Sequence, residues 1–356
     1  MVSSIRTGAN VYVQYGYETG AFGTTSTTAA DINRTFGLKT SIGSLTLTNN
    51  RTELGKLGQI EVADYAFGTQ SGSVSINYVL ADTITNDLAT DIEGSGDIFR
   101  AIYGAPASGV YPASGLLGQG KAPTTSESMS IEIGIETSGW GRSEPTEHKT
   151  RVLKGAILNS LSLSTSVGEP VNVSADFSFG IENSPLTSFA SPTLVHGTPY
   201  TFAHAKLKLR TANNDTLNDD TKVLTLVQDT ELTFGLNNEL LYGLSSNQAV
   251  DTFRKMLDIT GRFKVALVDW VLHERLLAQI GKGSTSGTRQ PTVVPNDDAT
   301  AQLELTFTNG NRSIKIELGG VSITDLSVTG LEPVEVLYQE ITYRAKTAKI
   351  TVDTTA

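Results

Sequence analysis

The sequence predicts an all-β chain with minor helix, built as two tandem, similar β-sandwich or β-barrel domains, each with one flanking α-helix. Three observations predict this. Short runs of alternating apolar and polar residues recur along the chain, which is the period of half-buried strands. The 356 residues include 34 glycines and 11 prolines but only 7% aromatics, a composition suited to short strands and many turns. Landmarks of the first half also return in the second half, in the same order.

The clearest echo joins 161–179 to 326–343. Each reads as strand, turn, strand, with Glu169-Pro170-Val171 in one turn and Glu332-Pro333-Val334 in the other. Proline fixes φ and donates no hydrogen bond, so it suits the start of the second strand or an edge. Four further landmarks agree. Leu45 to Asn50 resembles Leu232 to Asn238, and the Leu54-Gly55 that follows resembles Leu241 to Gly243. Gly72 to Val79 resembles Gly261 to Val268, and Ile131 to Ile135 resembles Leu303 to Phe307. The expected division is 1–185 for the first domain, 186–196 for a linker, and 197–356 for the second. Either domain is long enough to bury a core.

In chain order, a first strand is expected at 11–15, then a Gly/Thr loop at 18–30 and strands near 36–48, 59–67 and 72–80. Asp82 and Thr83 are placed to cap a helix with Ile84, Leu88 and Ile92 on one face, stopped by Gly94. A short helical turn follows at 97–103. Residues 104–126 form a long loop with Pro106, Pro112 and Pro123, and its apolar Val110, Tyr111, Leu116 and Leu117 favour docking against something. Strands are expected at 128–137, 151–165 and 170–180, with Trp140 at an intervening hairpin tip.

In the second half, strands are expected at 200–210 and 222–235, separated by the polar tip Asn213 to Asp220. Residues 249–259 fit a helix through Val250, Phe253, Met256 and Leu257, or a strand through Phe253, Lys255, Leu257 and Ile259. The echo of 61–67 favours strand. A helix over 271–280 is capped by Asp269 and Gly281, with Leu272, Leu276 and Ile280 on its apolar face. Loop 281–300 follows, then strands near 301–308, 313–324, 326–330 and 334–344 and a polar tail.

The sequence carries little reactive chemistry. There is no Gly-x-Ser-x-Gly elbow, no His-Glu-x-x-His and no phosphate-binding glycine loop; Gly281-Lys282-Gly283 follows a helix instead of opening one. The four histidines lie at no metal-ligand spacing, and Asn213 to Asp220 lacks the central glycine and distant glutamate of a calcium loop. No catalytic, cofactor or metal residues are predicted. The absence of cysteine leaves no disulfide or thiolate site. A net charge of −10 argues against a dedicated nucleic-acid binder. The N-terminus has no apolar signal-peptide core, and no apolar run is long enough to cross a membrane.

The chain resembles the tail tube proteins of long-tailed bacteriophages and their archaeal relatives. The likeness lies in Arg6 to Val13 followed by Glu18 to Thr25, in Arg51 to Leu80, and in the closing strand pairs around Glu169-Pro170 and Glu332-Pro333. It implies a non-enzymatic virion protein, made in the host cytoplasm, that self-assembles into stacked rings around a channel for genome passage. The duplication then implies three subunits supplying six similar domains per ring. Other tail proteins, such as the tape measure and the terminator or tip, become partners; DNA passes without specific binding, and no membrane is involved. Phe22, Val110, Tyr111, Leu116, Leu117, Trp140, Lys282 and Arg289 become the candidate contacts between subunits or rings. Sheath, distal tail and decoration proteins, and a β-sandwich adhesin or binding module, remain alternatives.

Overall fold

The structure is a computed structural model and describes residues 11–18, 22–23, 32, 34–55, 62–82, 97–113, 127–135, 149–183, 197–209, 224, 226–244, 246–267, 301–330 and 336–353. The first half contains β1 (Val11–Tyr17), β2 (Arg34–Thr35), β3 (Leu38–Gly55), β4 (Val62–Val79), the one-turn α1 (Arg100–Tyr103), β5 (Val110–Tyr111), β6 (Met129–Ile135), β7 (Lys149–Ser166), β8 (Asn172–Phe179) and β9 (Ile181–Asn183). The second contains β10 (Ala205–Leu209), β11 (Val227–Gly235), β12 (Glu239–Tyr242), β13 (Ala249–Phe253), β14 (Asp258–Ala266), β15 (Ala301–Asn309), β16 (Arg312–Gly319), β17 (Ser322–Thr329), β18 (Tyr338–Ala345) and β19 (Thr347–Asp353). The expected helices over 83–93 and 271–280 and the linker 186–196 lie outside the described residues, while the helical turn at 97–103 is present.

A long antiparallel run, β3-β4-β8-β7-β11-β14-β18-β17, forms one layer. The other layer comprises β2-β1-β6, continued onto the start of β7, and the five-stranded sheet β10-β15-β16-β19-β5. Period-2 alternation fixes which side chains go inward. On β8, Val173, Ala175, Phe177 and Phe179 are buried, while Asn172 and Asp176 are exposed. One hydrophobic cluster runs through both halves. Phe36 gathers part of it, with ring centroids 4.5 Å from Tyr15, 5.8 Å from Tyr78 and 5.9 Å from Phe177. Such ring pairs add about 0.5–1.5 kcal/mol each beyond the area they bury.

The two halves pair their strands alike. The order β3-β4-β8-β7 is matched by β11-β14-β18-β17, and β1-β6-β7 by β10-β15-β16. Val13 opposes Ile133 in the first half, and Leu207 opposes Leu305 in the second. Each half buries a carboxylate on the central strand: Glu132 accepts from the Tyr12 hydroxyl at 2.6 Å, and Glu304 lies 3.8 Å from the Lys208 ammonium. Gly72 lies opposite Phe179 and Gly261 opposite Tyr343, and in both cases the aromatic ring occupies the space that a Cβ would fill.

The chain crosses between layers at Gly155 (φ 60°) in the first half and Gly320 (φ 62°) in the second, a conformation that favours glycine. β7 passes through this corner unbroken, whereas the second half divides there into β16 and β17. The expected strand at 313–324 is thus cut at its Gly-Gly pair. Conversely, the strands expected at 59–67 and 72–80 are one strand, β4.

Residues 249–259 are strand, interrupted between β13 and β14. The expected polar tail is a correction: it forms β19, with Ala348, Ile350 and Val352 buried against β16. Asp82, expected to cap a helix that lies outside the described residues, joins the halves. Its carboxylate accepts from the Thr198 N–H at 2.5 Å and lies 3.5 Å from the Arg312 guanidinium.

Candidate functional site

The long sheet has one face in the core and one turned outward. In the first half the outward face is made mainly of small hydroxyls and amides, Ser160, Ser162 and Ser164 on β7, Asn172 and Ser174 on β8, and Ser73, Ser75 and Asn77 on β4, with the carboxylate of Asp176 among them. The Ser160 hydroxyl donates to Asp176 at 2.7 Å. An open depression of about 410 Å³ on this face is lined by Lys39, Ser41, Asn77, Ser162, Ser164, Asn172 and Ser174 together with Tyr78, Val79 and Val173, with no carboxylate.

In the second half the outward face is charged. Arg262 on β14 bridges Glu231 on β11 at 2.7 Å and Glu340 on β18 at 3.2 Å, and Arg344 pairs with Asp258 at 3.0 Å. The hydrogen bond to Glu231, opposed by desolvation, holds the Arg262 guanidinium above its ordinary pKa. Over the described face of both halves, Asp176, Asp229, Glu231, Asp258, Asp325 and Glu340 outnumber Lys39, Arg262, Lys264 and Arg344, so the face is acidic as well as polar. Among the described residues, no group of three or more His, Asp or Glu could hold a metal ion.

The face ends at two edges. Among the described residues, β3 pairs only with β4 and β17 only with β18. A third feature is the β12–β13 hairpin, which projects from the β11–β14 pair. It exposes Leu241 (41%), Leu244 (102%), Val250 (51%) and Phe253 (55%), with Met256 (83%) just beyond. Its base rests on the first half: the Tyr242 hydroxyl donates to the Gln70 carbonyl at 2.9 Å, and the Gln70 N–H to the Asn247 carbonyl at 2.7 Å.

Of the residues proposed as contacts from sequence, Phe22 is half-buried, its ring over Gly155. The Glu18 carboxylate places it, accepting from the N–H groups of Gly23 and Gly155 at 2.9 Å each, from Ser128 at 2.6 Å and from Ser130 at 2.9 Å. Val110 is half-buried and opposes Thr351 on β19. Tyr111 is fully buried, opposes Ile350, and meets the Phe99 ring edge-on at 6.3 Å. The structure therefore groups Val110 and Tyr111 on the second half's sheet, apart from Phe22. Leu116, Leu117, Trp140, Lys282 and Arg289 lie outside the described residues. The apolar hairpin was missed, because Leu, Val and Phe at strand spacing read equally well as core.

The described residues thus form a β fold with a polar outward face, two open edges and an exposed apolar hairpin. A family model described as phage tail tube protein matches residues 8–345, nearly the whole chain. The chain belongs to this family. It is thus a structural component of a phage tail. No curated protein matches the chain.

Proposed function

We propose that this tail tube protein self-assembles into rings that stack into a tube, with the outward face of the long sheet lining the channel. The observation that carries this reading is the face itself: a continuous antiparallel wall of polar side chains with an acidic excess. Phosphates are repelled by such a wall, so a genome would slide along it without sticking. The two halves, alike in strand order, are read as tandem copies, and three chains then supply six similar units to each ring. Closure by repetition removes the open edges that a single chain leaves.

Contacts between subunits or rings are assigned to loops 18–30, 104–126 and 281–300, with Phe22, Val110, Leu116, Leu117, Lys282 and Arg289, to Trp140, and to the exposed hairpin around Phe253 and Met256. Tyr111 anchors the second of these loops from inside. The tape measure and the terminator or tip proteins are the expected neighbours in the tail, and assembly is placed in the host cytoplasm.

The test is a deletion confined to 114–126, which spares the buried Tyr111. The expected variant is a folded monomer, by circular dichroism and size-exclusion chromatography, that no longer forms tubes in electron micrographs. Tubes of normal length from this variant would remove the loop from the interface.

A further inference from the structure

The strands of the long sheet finish differently at their two ends. β7 and β11 pair along the internal seam between the halves, and β11 runs from Val227 at one end to Gly235 at the other. The apolar hairpin β12–β13 stands at the Gly235 end, between β11 and β14. Three further exposed apolar residues gather at the Val227 end: Val167 on the β7–β8 turn, Leu226 before β11 and Val336 before β18. Backbone hydrogen bonds set them in a row. The Val167 N–H donates to the Gln228 carbonyl at 3.0 Å, the Ala266 N–H to Leu226 at 3.0 Å, and the Leu267 N–H to Leu337 at 2.8 Å.

Each apolar end carries one charged group that has no counter-ion. At the hairpin end it is Arg254, which follows β13 directly, between the exposed Phe253 and Met256. Arg254 is only 9% exposed. Its Nη2 donates to the Ile102 carbonyl, while Nε and Nη1 have no partner. Burial lowers its pKa. A guanidinium taken out of water without an anion is unfavourable, and its planar fork fits a carboxylate. At the other end it is Glu169, two residues after Val167. Its backbone is fixed, donating to Ser166 at 2.9 Å and accepting from Phe202 at 3.0 Å. Its side chain is exposed and forms no ion pair among the described residues.

We infer that Arg254 of one copy receives the Glu169 carboxylate of a second copy stacked on it, with Phe253 and Met256 covering Val167, Leu226 and Val336. This rests on the proposed tube, and it names the two surfaces that join one ring to the next. A second copy is the occupant because each end has what the other lacks: a cation in an apolar surround, and an anion in another. The two surfaces lie at opposite ends of the same strands, so the contact is head-to-tail and repeats. Apolar groups around the pair exclude water and strengthen it. Between copies of a chain with a net charge of −10, such a pair also fixes which surfaces meet.

Glu169→Lys changes an exposed side chain and should fold normally by circular dichroism. It should raise the protein concentration needed for tubes by about tenfold or more, leaving separate rings in electron micrographs. Arg254→Met should act in the same direction. Joined to Glu169→Gln, it should add little to either change alone, because both remove one contact. Cross-linking reads the contact with the ion pair intact, and the chain has no cysteine of its own. Val167→Cys and Met256→Cys are introduced singly and together, and assembled protein is treated with a short bis-maleimide. A mixture of the single variants should give dimers and the double variant a ladder, while neither single variant cross-links alone. Tubes without cross-links, cross-links from one single variant alone, additive losses, or normal stacking by folded Glu169→Lys would overturn this contact and leave the tube standing. Neither rings nor tubes from the unaltered chain would overturn both.

Discussion

The outward faces of the two halves differ far more than their cores do. In the first half the wall is Ser and Asn, with Asp176 among them; in the second it is a lattice of Arg262, Glu231, Glu340, Arg344 and Asp258. Inward, both halves keep the same strand order, the same glycine beneath an aromatic ring, and a buried glutamate on the middle strand. Close packing tolerates few changes of volume, whereas a wetted wall has only to stay polar. The contrast shows which positions hold the fold and which are free to set the character of the surface.

The largest effect separates the internal seam from the free edges. Leu161→Ala should destabilise the isolated chain by about 2–5 kcal/mol, since it empties a fully buried site. Leu326→Ala, half-buried in the isolated chain, should cost clearly less by denaturant titration. Its effect should grow when the assembled form is melted. Equal losses in the isolated chain would break the distinction.

A middle-sized effect compares the halves directly. Gly72→Val and Gly261→Val each drive a side chain into the ring of Phe179 or Tyr343 and should each cost about 1–3 kcal/mol. Chemical denaturation of the two variants should give similar losses, and one harmless substitution would show that the halves are not packed alike. The smallest effect concerns the charged wall. The Arg262 side chain is 48% exposed, so Arg262→Ala should shift stability by less than about 1 kcal/mol, and added salt should shrink the difference further.

Much of this fold was legible as alternation. β8 could be read residue by residue from Asn172 to Phe179, and the strand assignment of 249–259 followed from its echo of β4. β19 carries the same alternation through Ala348, Ile350 and Val352, but Thr and Lys between them made it look like a polar tail. What the alternation shows is a face, and what lies against that face is a long-range contact that local pattern does not record. The loop at 104–126 illustrates this. Its apolar residues signalled docking, yet Tyr111 docks on β19 of its own chain. The apolar hairpin at Leu241, Val250 and Phe253 is the reverse case, since residues that look like core stand exposed. The corners at Gly155 and Gly320 were hidden for a related reason: a glycine in a strand marks a bend only when its φ is known.

The account depends most on the claim that one chain contributes two like units to a closed wall. Electron cryo-microscopy of the assembled protein, with mass measurement of a single ring, tests it most directly. The expected result is a hollow tube with three chains per ring, near-sixfold in outline, with Ser162, Asp176, Glu231 and Arg262 facing the channel. Six chains per ring, a channel lined by the opposite layer, or discrete particles without a channel would contradict it.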